Sequence, residues 1–116
     1  MSRAEPDHHC PGCGVECPAF GRYPWYFCRN CLNRAEDGAG NRLTFRNPYV
    51  SGGLGWALAE DRANWDDSTI GVLCLIDRRP VRVTEARFGG VVAQPINWET
   101  RSEAREVDAR RGPIRG

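Results

Sequence analysis

The apolar positions of this chain fall in short runs with the period of strands. "RLTFR" at 42–46 alternates and places Leu43 and Phe45 on one face. In "VSGGLGWALAE", residues 50–60, three glycines in four positions rule out a helix. They predict a bulged or tightly packed strand, where glycine admits a second backbone. "IGVLCLI", residues 70–76, is apolar throughout, too continuous for a half-exposed strand, and predicts a central buried one. Asp77-Arg78-Arg79-Pro80 turns the chain and Val81-Arg82-Val83 returns in alternation, which makes a hairpin. Thr84 caps an expected helical turn over 84–88. A last strand follows over 91–96, placed at a sheet edge by Pro95.

Between these runs the chain is polar. Residues 35–41, "AEDGAGN", form a loop, and residues 61–69 a second one. Asp61, Asp66 and Asp67 lack the spacing of an EF-hand. From residue 97 charges are dense. Thr100 and Glu103 make a capping box for a helix of about ten residues, with a thin apolar stripe of Ala104 and Val107, stopped by Gly112-Pro113. The expected architecture is α+β or mostly β. A cysteine-rich module occupies residues 1–34, a small antiparallel β-rich region 35–97, and a charged helical or disordered tail 98–116.

Composition narrows the functional classes. A chain of 116 residues with net charge +1 lacks the excess of positive charge that a strongly basic nucleic-acid binder carries. Every basic residue is arginine. The N-terminus has no apolar signal-peptide core, and no apolar run approaches the roughly 18 residues that span a membrane. The expected location is the cytoplasm, where cysteines stay reduced and a clustered set reads as metal-binding before it reads as disulfides.

Five of the six cysteines lie between residues 10 and 31. Cys10-Pro-Gly-Cys13 and Cys28-Arg-Asn-Cys31 are two C-x-x-C pairs separated by fourteen residues. Two residues between cysteines let one tight turn aim both sulfurs at one point. A second such turn completes a tetrahedron of thiolates around Zn²⁺, each bond about 2.3 Å. Gly12 and Gly14 suit the first turn, whereas Leu32 stands where the second would have its glycine. Cys17, His8 and His9 are alternative ligands, and a redox role for the pairs is a further alternative. Trp25-Tyr26-Phe27 reads as a short strand entering the second knuckle, and Cys74 as a buried small hydrophobe.

Residues 8–33 resemble the zinc-ribbon class, and the "CPGCG" knuckle is similar to that of rubredoxin. Taken whole, the chain resembles a small bacterial zinc-ribbon protein. The resemblance implies a structural metal held by Cys10, Cys13, Cys28 and Cys31. The short spacer and Leu32 favour zinc over iron.

Three functions follow as expectations. A non-catalytic module or adaptor would dock another protein through Arg22, Tyr23, Trp25 and Arg29, residue types common in binding hot spots. A nucleic-acid binder would use an arginine strip of Arg22, Arg29, Arg34, Arg42 and Arg46, with Trp25 or Tyr23 stacking. A small-ligand binder or enzyme would use the glycine-rich segments 51–55 and 85–90 with Glu85, Arg87, Asp66 or Asp67. No nucleophile–base arrangement is visible in the sequence.

Overall fold

A computed structural model describes residues 8–17, 26–48, 53–86 and 90–115. The described residues are mostly β, with one four-residue helix. Strands β1 (His8–His9) and β2 (Glu16–Cys17) pair antiparallel, and α1 (Arg29–Leu32) follows. Strands β3 (Leu43–Arg46) and β4 (Gly55–Leu58) form a second antiparallel pair. The main sheet contains β5 (Gly71–Ile76), β6 (Arg79–Glu85), β7 (Val91–Pro95) and β8 (Glu106–Asp108), in the order β7-β6-β5-β8.

Strand β5 is the centre of this sheet, and every residue in it is buried. Its apolar run therefore has the expected cause. Val72, Cys74 and Ile76 face a core shared with Leu43, Trp56, Val81 and Val83. Leu73 and Leu75 are also buried, at the alternate positions of the strand. The register lines up Val107, Val72, Val83 and Ala93, one from each strand. Burying one valine side chain in such a row contributes about 1.5–3 kcal/mol.

The hairpin between β5 and β6 is tighter than the four-residue turn expected. Arg79 and Pro80 already pair with Ile76 and Leu75, leaving only Asp77 and Arg78 to turn. Both have positive φ, 52° and 65°, the mark of a type I′ turn whose twist matches the flanking strands. Strand β7 is the expected edge, and it contains Pro95.

Three expected elements are corrected. The capping-box helix after Thr100 does not form: residues 101–103 are irregular and Glu106–Asp108 run parallel to β5. Arg105 takes a left-handed φ of 67°, and the Glu106 carboxylate accepts the Glu103 N–H at 2.8 Å. A stripe of two apolar residues could not hold a helix, whereas pairing with β5 places Val107 beside Val72. The helical turn expected from Thr84 is likewise absent, because Thr84 and Glu85 continue β6 and pair with Val92 and Val91. Tyr26 and Phe27 are not in a strand. The Phe27 N–H instead makes a 2.9 Å hydrogen bond to the Ala93 carbonyl of β7.

The C-terminal segment is built in rather than frayed. Arg110 is buried, 4 % exposed, and spans Asp108 with two bonds of 2.8 and 2.9 Å. Its Nη1 donates to the carbonyls of Asn97 and Trp98, and its Nη2 also to that of Thr100. Asp37, fully buried, accepts the N–H groups of Ala39, Asn41 and Ile114 and the Asn41 amide, all within 3.0 Å. It thereby ties the loop after α1 to the end of the chain.

Candidate metal centre

The first knuckle is the turn between β1 and β2. The Cys10 N–H donates to the Val15 carbonyl at 2.8 Å, and the Gly14 N–H to the Cys10 carbonyl at 2.9 Å. Gly14 closes the turn at φ 82°. The role of Gly12 is different: a Cβ there would lie 2.7 Å from the Cys31 sulfur, so glycine is what lets the two knuckles meet.

The second knuckle is built on α1. Cys28 caps the helix in an extended conformation, and Cys31 lies within it, fully buried. Leu32 fits this form, packing against the core as part of a helical turn. The helical turn begins at Arg29, directly after Cys28, and ends at Leu32. Glu36 is already extended, exchanging two hydrogen bonds of 2.8 and 2.9 Å with Leu75. It continues the line of β8 along the free side of β5 and so fixes the knuckle to the main sheet.

The sulfurs of Cys10, Cys13, Cys28 and Cys31 all lie within 4.8 Å of one another. A tetrahedron with bonds of about 2.3 Å requires sulfurs about 3.8 Å apart, and the Cys13 and Cys28 sulfurs are 3.6 Å apart. The donor set therefore fits a thiophilic ion in tetrahedral coordination. Backbone amides of Gly12 and Cys28 point at the Cys10 sulfur, at 3.4 and 3.2 Å. Arg34 Nη2 points at the Cys31 sulfur at 3.4 Å. Such donors disperse thiolate charge and orient the ligands.

The thiols differ in their acidity. Burial alone would raise Cys10, but the N–H groups of Cys28, Cys13 and Gly12 outweigh it and bring the thiol down to about 6. Burial pushes Cys31 up to about 12, reinforced by the neighbouring cysteine sulfurs. Burial also raises Cys28. Four thiolates at one point repel each other, and a dication relieves that repulsion.

Of the alternative ligands, His9 is exposed on β1, and the side chains of His8 and Cys17 lie outside the described residues. Cys74 is fully buried in the main sheet, and burial raises its thiol to about 12. Arg22, Tyr23 and Trp25 lie outside the described residues, while Arg29 is exposed on α1. The arginine strip divides. Arg29, Arg42 and Arg46 line one cleft, joined by Arg62, whereas Arg34 turns to Asp77 and Cys31.

The glycine-rich segments do meet, through Asn47. Its amide donates to the carbonyls of Gly53 and Gly90 at 2.7 and 3.0 Å, and its oxygen accepts the Gly90 N–H at 2.6 Å. Residues 49–52 and 87–89, Arg87 among them, lie outside the described residues. Asp66 is engaged by Ser68 and Asp67 by Arg46. Arg62 carries no sequence signal of its own, and Arg34, expected in the strip, stands instead beside a candidate ligand. No helix among the described residues is long and apolar enough to cross a membrane. Compared with protein-family models, curated proteins and solved structures, the chain matches none.

Proposed function

We propose that this chain is a structural zinc protein, working as a non-catalytic module or adaptor that binds another protein in the cytoplasm. The supporting observation is the convergence of four cysteine sulfurs at the edge of the core, with Cys10 and Cys31 buried in the same cluster as Val72, Val81 and Ala93. An ion there joins two chain segments that have little regular structure of their own. Four thiolates fill a tetrahedral shell and leave no position for substrate, so the ion serves the fold. Zinc is favoured over iron because the two knuckles are dissimilar: one is a glycine turn and the other a helical turn.

The exposed rim of the centre supplies the docking surface. Val15 is 49 % exposed at the base of the first knuckle, and Arg29 is exposed at the second. Arg22, Tyr23 and Trp25 belong to the linking segment.

Elemental analysis of the purified protein, with thiol titration before and after chelation, tests the metal. The expected result is one zinc per chain and four thiols that react only after chelation. Metal-free yet fully folded protein, or disulfides among Cys10 to Cys31, overturns the reading. For the partner, Trp25→Ala is expected to lose capture in a pull-down. Unchanged capture removes that surface.

A further inference from the structure

Beside the second knuckle lies a cleft of about 460 Å³, within the size range of small-ligand sites. Four arginines line it: Arg29 from α1, Arg42 and Arg46 from β3 and its approach, and Arg62 from the loop after β4. No carboxylate is among its described lining residues.

Arg46 is held in place. It makes two bonds to Asp67, of 3.2 and 2.6 Å, and its guanidinium stacks 4.3 Å from the centre of the Trp65 ring. Arg42 is oriented by a 3.3 Å bond to the Asn33 carbonyl. Arg29, Arg42 and Arg62 form no ion pair among the described residues. Three arginines without an ion pair among the described residues thus line one cleft, in a chain whose net charge is only +1. Their mutual repulsion is relieved by a multivalent anion, and the planar forks match phosphate oxygens.

The cleft has an apolar extension. A smaller hollow of about 190 Å³, lined by Tyr26, Phe27 and Val92, shares Arg29, Leu32 and Val91 with it. One end of the groove is therefore cationic and the other aromatic and aliphatic. We propose that this groove binds a nucleoside polyphosphate, its phosphates on Arg29, Arg42 and Arg62 and its base against Tyr26, Leu32 and Val91. This goes beyond the structural role of the metal centre.

Calorimetric titration of the zinc-loaded protein with ATP, at low salt and without added metal, tests the proposal. Zinc content is measured before and after each titration, so loss of the ion is distinguished from loss of the site. Saturable binding with a Kd below about 100 μM is expected, and Arg42→Gln with Arg62→Gln should weaken it at least about tenfold. Arg111→Gln, whose guanidinium lies over Trp98 and lines neither part of the groove, should leave it unchanged. Tripolyphosphate should bind severalfold more weakly than ATP, and adenosine should not saturate. Thermal melts confirm that the variants are folded. The proposal is overturned by absence of ATP binding, by affinity indifferent to the double substitution, or by loss of affinity in Arg111→Gln as well. It is also overturned if tripolyphosphate equals ATP, if adenosine saturates as well as ATP does, or if a thymidine oligonucleotide binds tenfold tighter with affinity rising with its length.

Discussion

Arg34 grips Asp77 with two hydrogen bonds, of 2.8 and 3.3 Å, between residues 43 positions apart. The same guanidinium reaches the Cys31 sulfur at 3.4 Å. One side chain therefore joins the second knuckle to the β5–β6 turn while donating to a proposed metal ligand. The pair itself is half exposed, so its value for global stability is small. Its value lies in orienting Cys31. Arg34→Ala is expected to speed zinc loss to a chelator about tenfold, with little change in the melting temperature of the zinc-loaded protein. Arg34→Lys should fall between the two. A chelation rate equal to wild type would show that the bond to sulfur does nothing for the ion.

Gly12 is the contact point between the knuckles. In Gly12→Ala the new methyl meets the Cys31 sulfur at 2.7 Å, and neither partner can retreat, one being backbone-fixed and the other buried. Overpacking of this kind costs about 1–3 kcal/mol, so zinc affinity should drop at least about tenfold. Competition with a coloured zinc chelator measures it. Wild-type affinity in this variant would mean that the two knuckles sit further apart.

Asp37 predicts a pH dependence. Burial alone would raise its carboxyl, but hydrogen bonds from Asn41, Ile114 and Ala39 outweigh burial and hold it below the usual carboxylate range. A carboxyl depressed on folding adds stability that is complete above its unfolded pKa, about 3.9. That stability is lost as pH falls through the folded value. Asp37→Asn lacks this contribution and turns an amide N–H₂ toward donors, at a cost of about 1–3 kcal/mol near neutrality. The gap between wild type and variant in urea midpoint should be full at pH 6 and shrink below pH 4, with zinc content followed throughout. A gap independent of pH would mean that folding leaves the Asp37 carboxyl unshifted.

The β5–β6 turn offers a stabilising change. Arg78 occupies a left-handed position with φ 65°, where a side chain costs about 1–2 kcal/mol and glycine fits without strain. Arg78→Gly gives up an exposed pair with Glu36, 3.1 Å, worth little in water. It also pays the larger unfolded-state entropy of glycine. The expected net gain is about 0.5 kcal/mol, seen as a higher urea midpoint. A lower midpoint would show that the link from Arg78 to Glu36, in the segment after α1, outweighs the turn.

Sequence alone determined what depends on local chemistry. The unbroken apolar run 70–76 specified a buried central strand because a strand covered on both faces has no polar side. Two C-x-x-C pairs specified where sulfurs could converge, because turn geometry sets that within four residues. The tail was misjudged for the opposite reason. Thr100 and Glu103 carry a real helix-start signal, but the row of Val72, Val83 and Ala93 offered Val107 a neighbour that no local signal records. Only the tertiary structure could place Arg34 on Asp77, tie Asp37 to Ile114, or gather Arg29, Arg42, Arg46 and Arg62 around one cleft. Those relationships join residues far apart in the chain, and a charged side chain carries no periodicity to announce its partner.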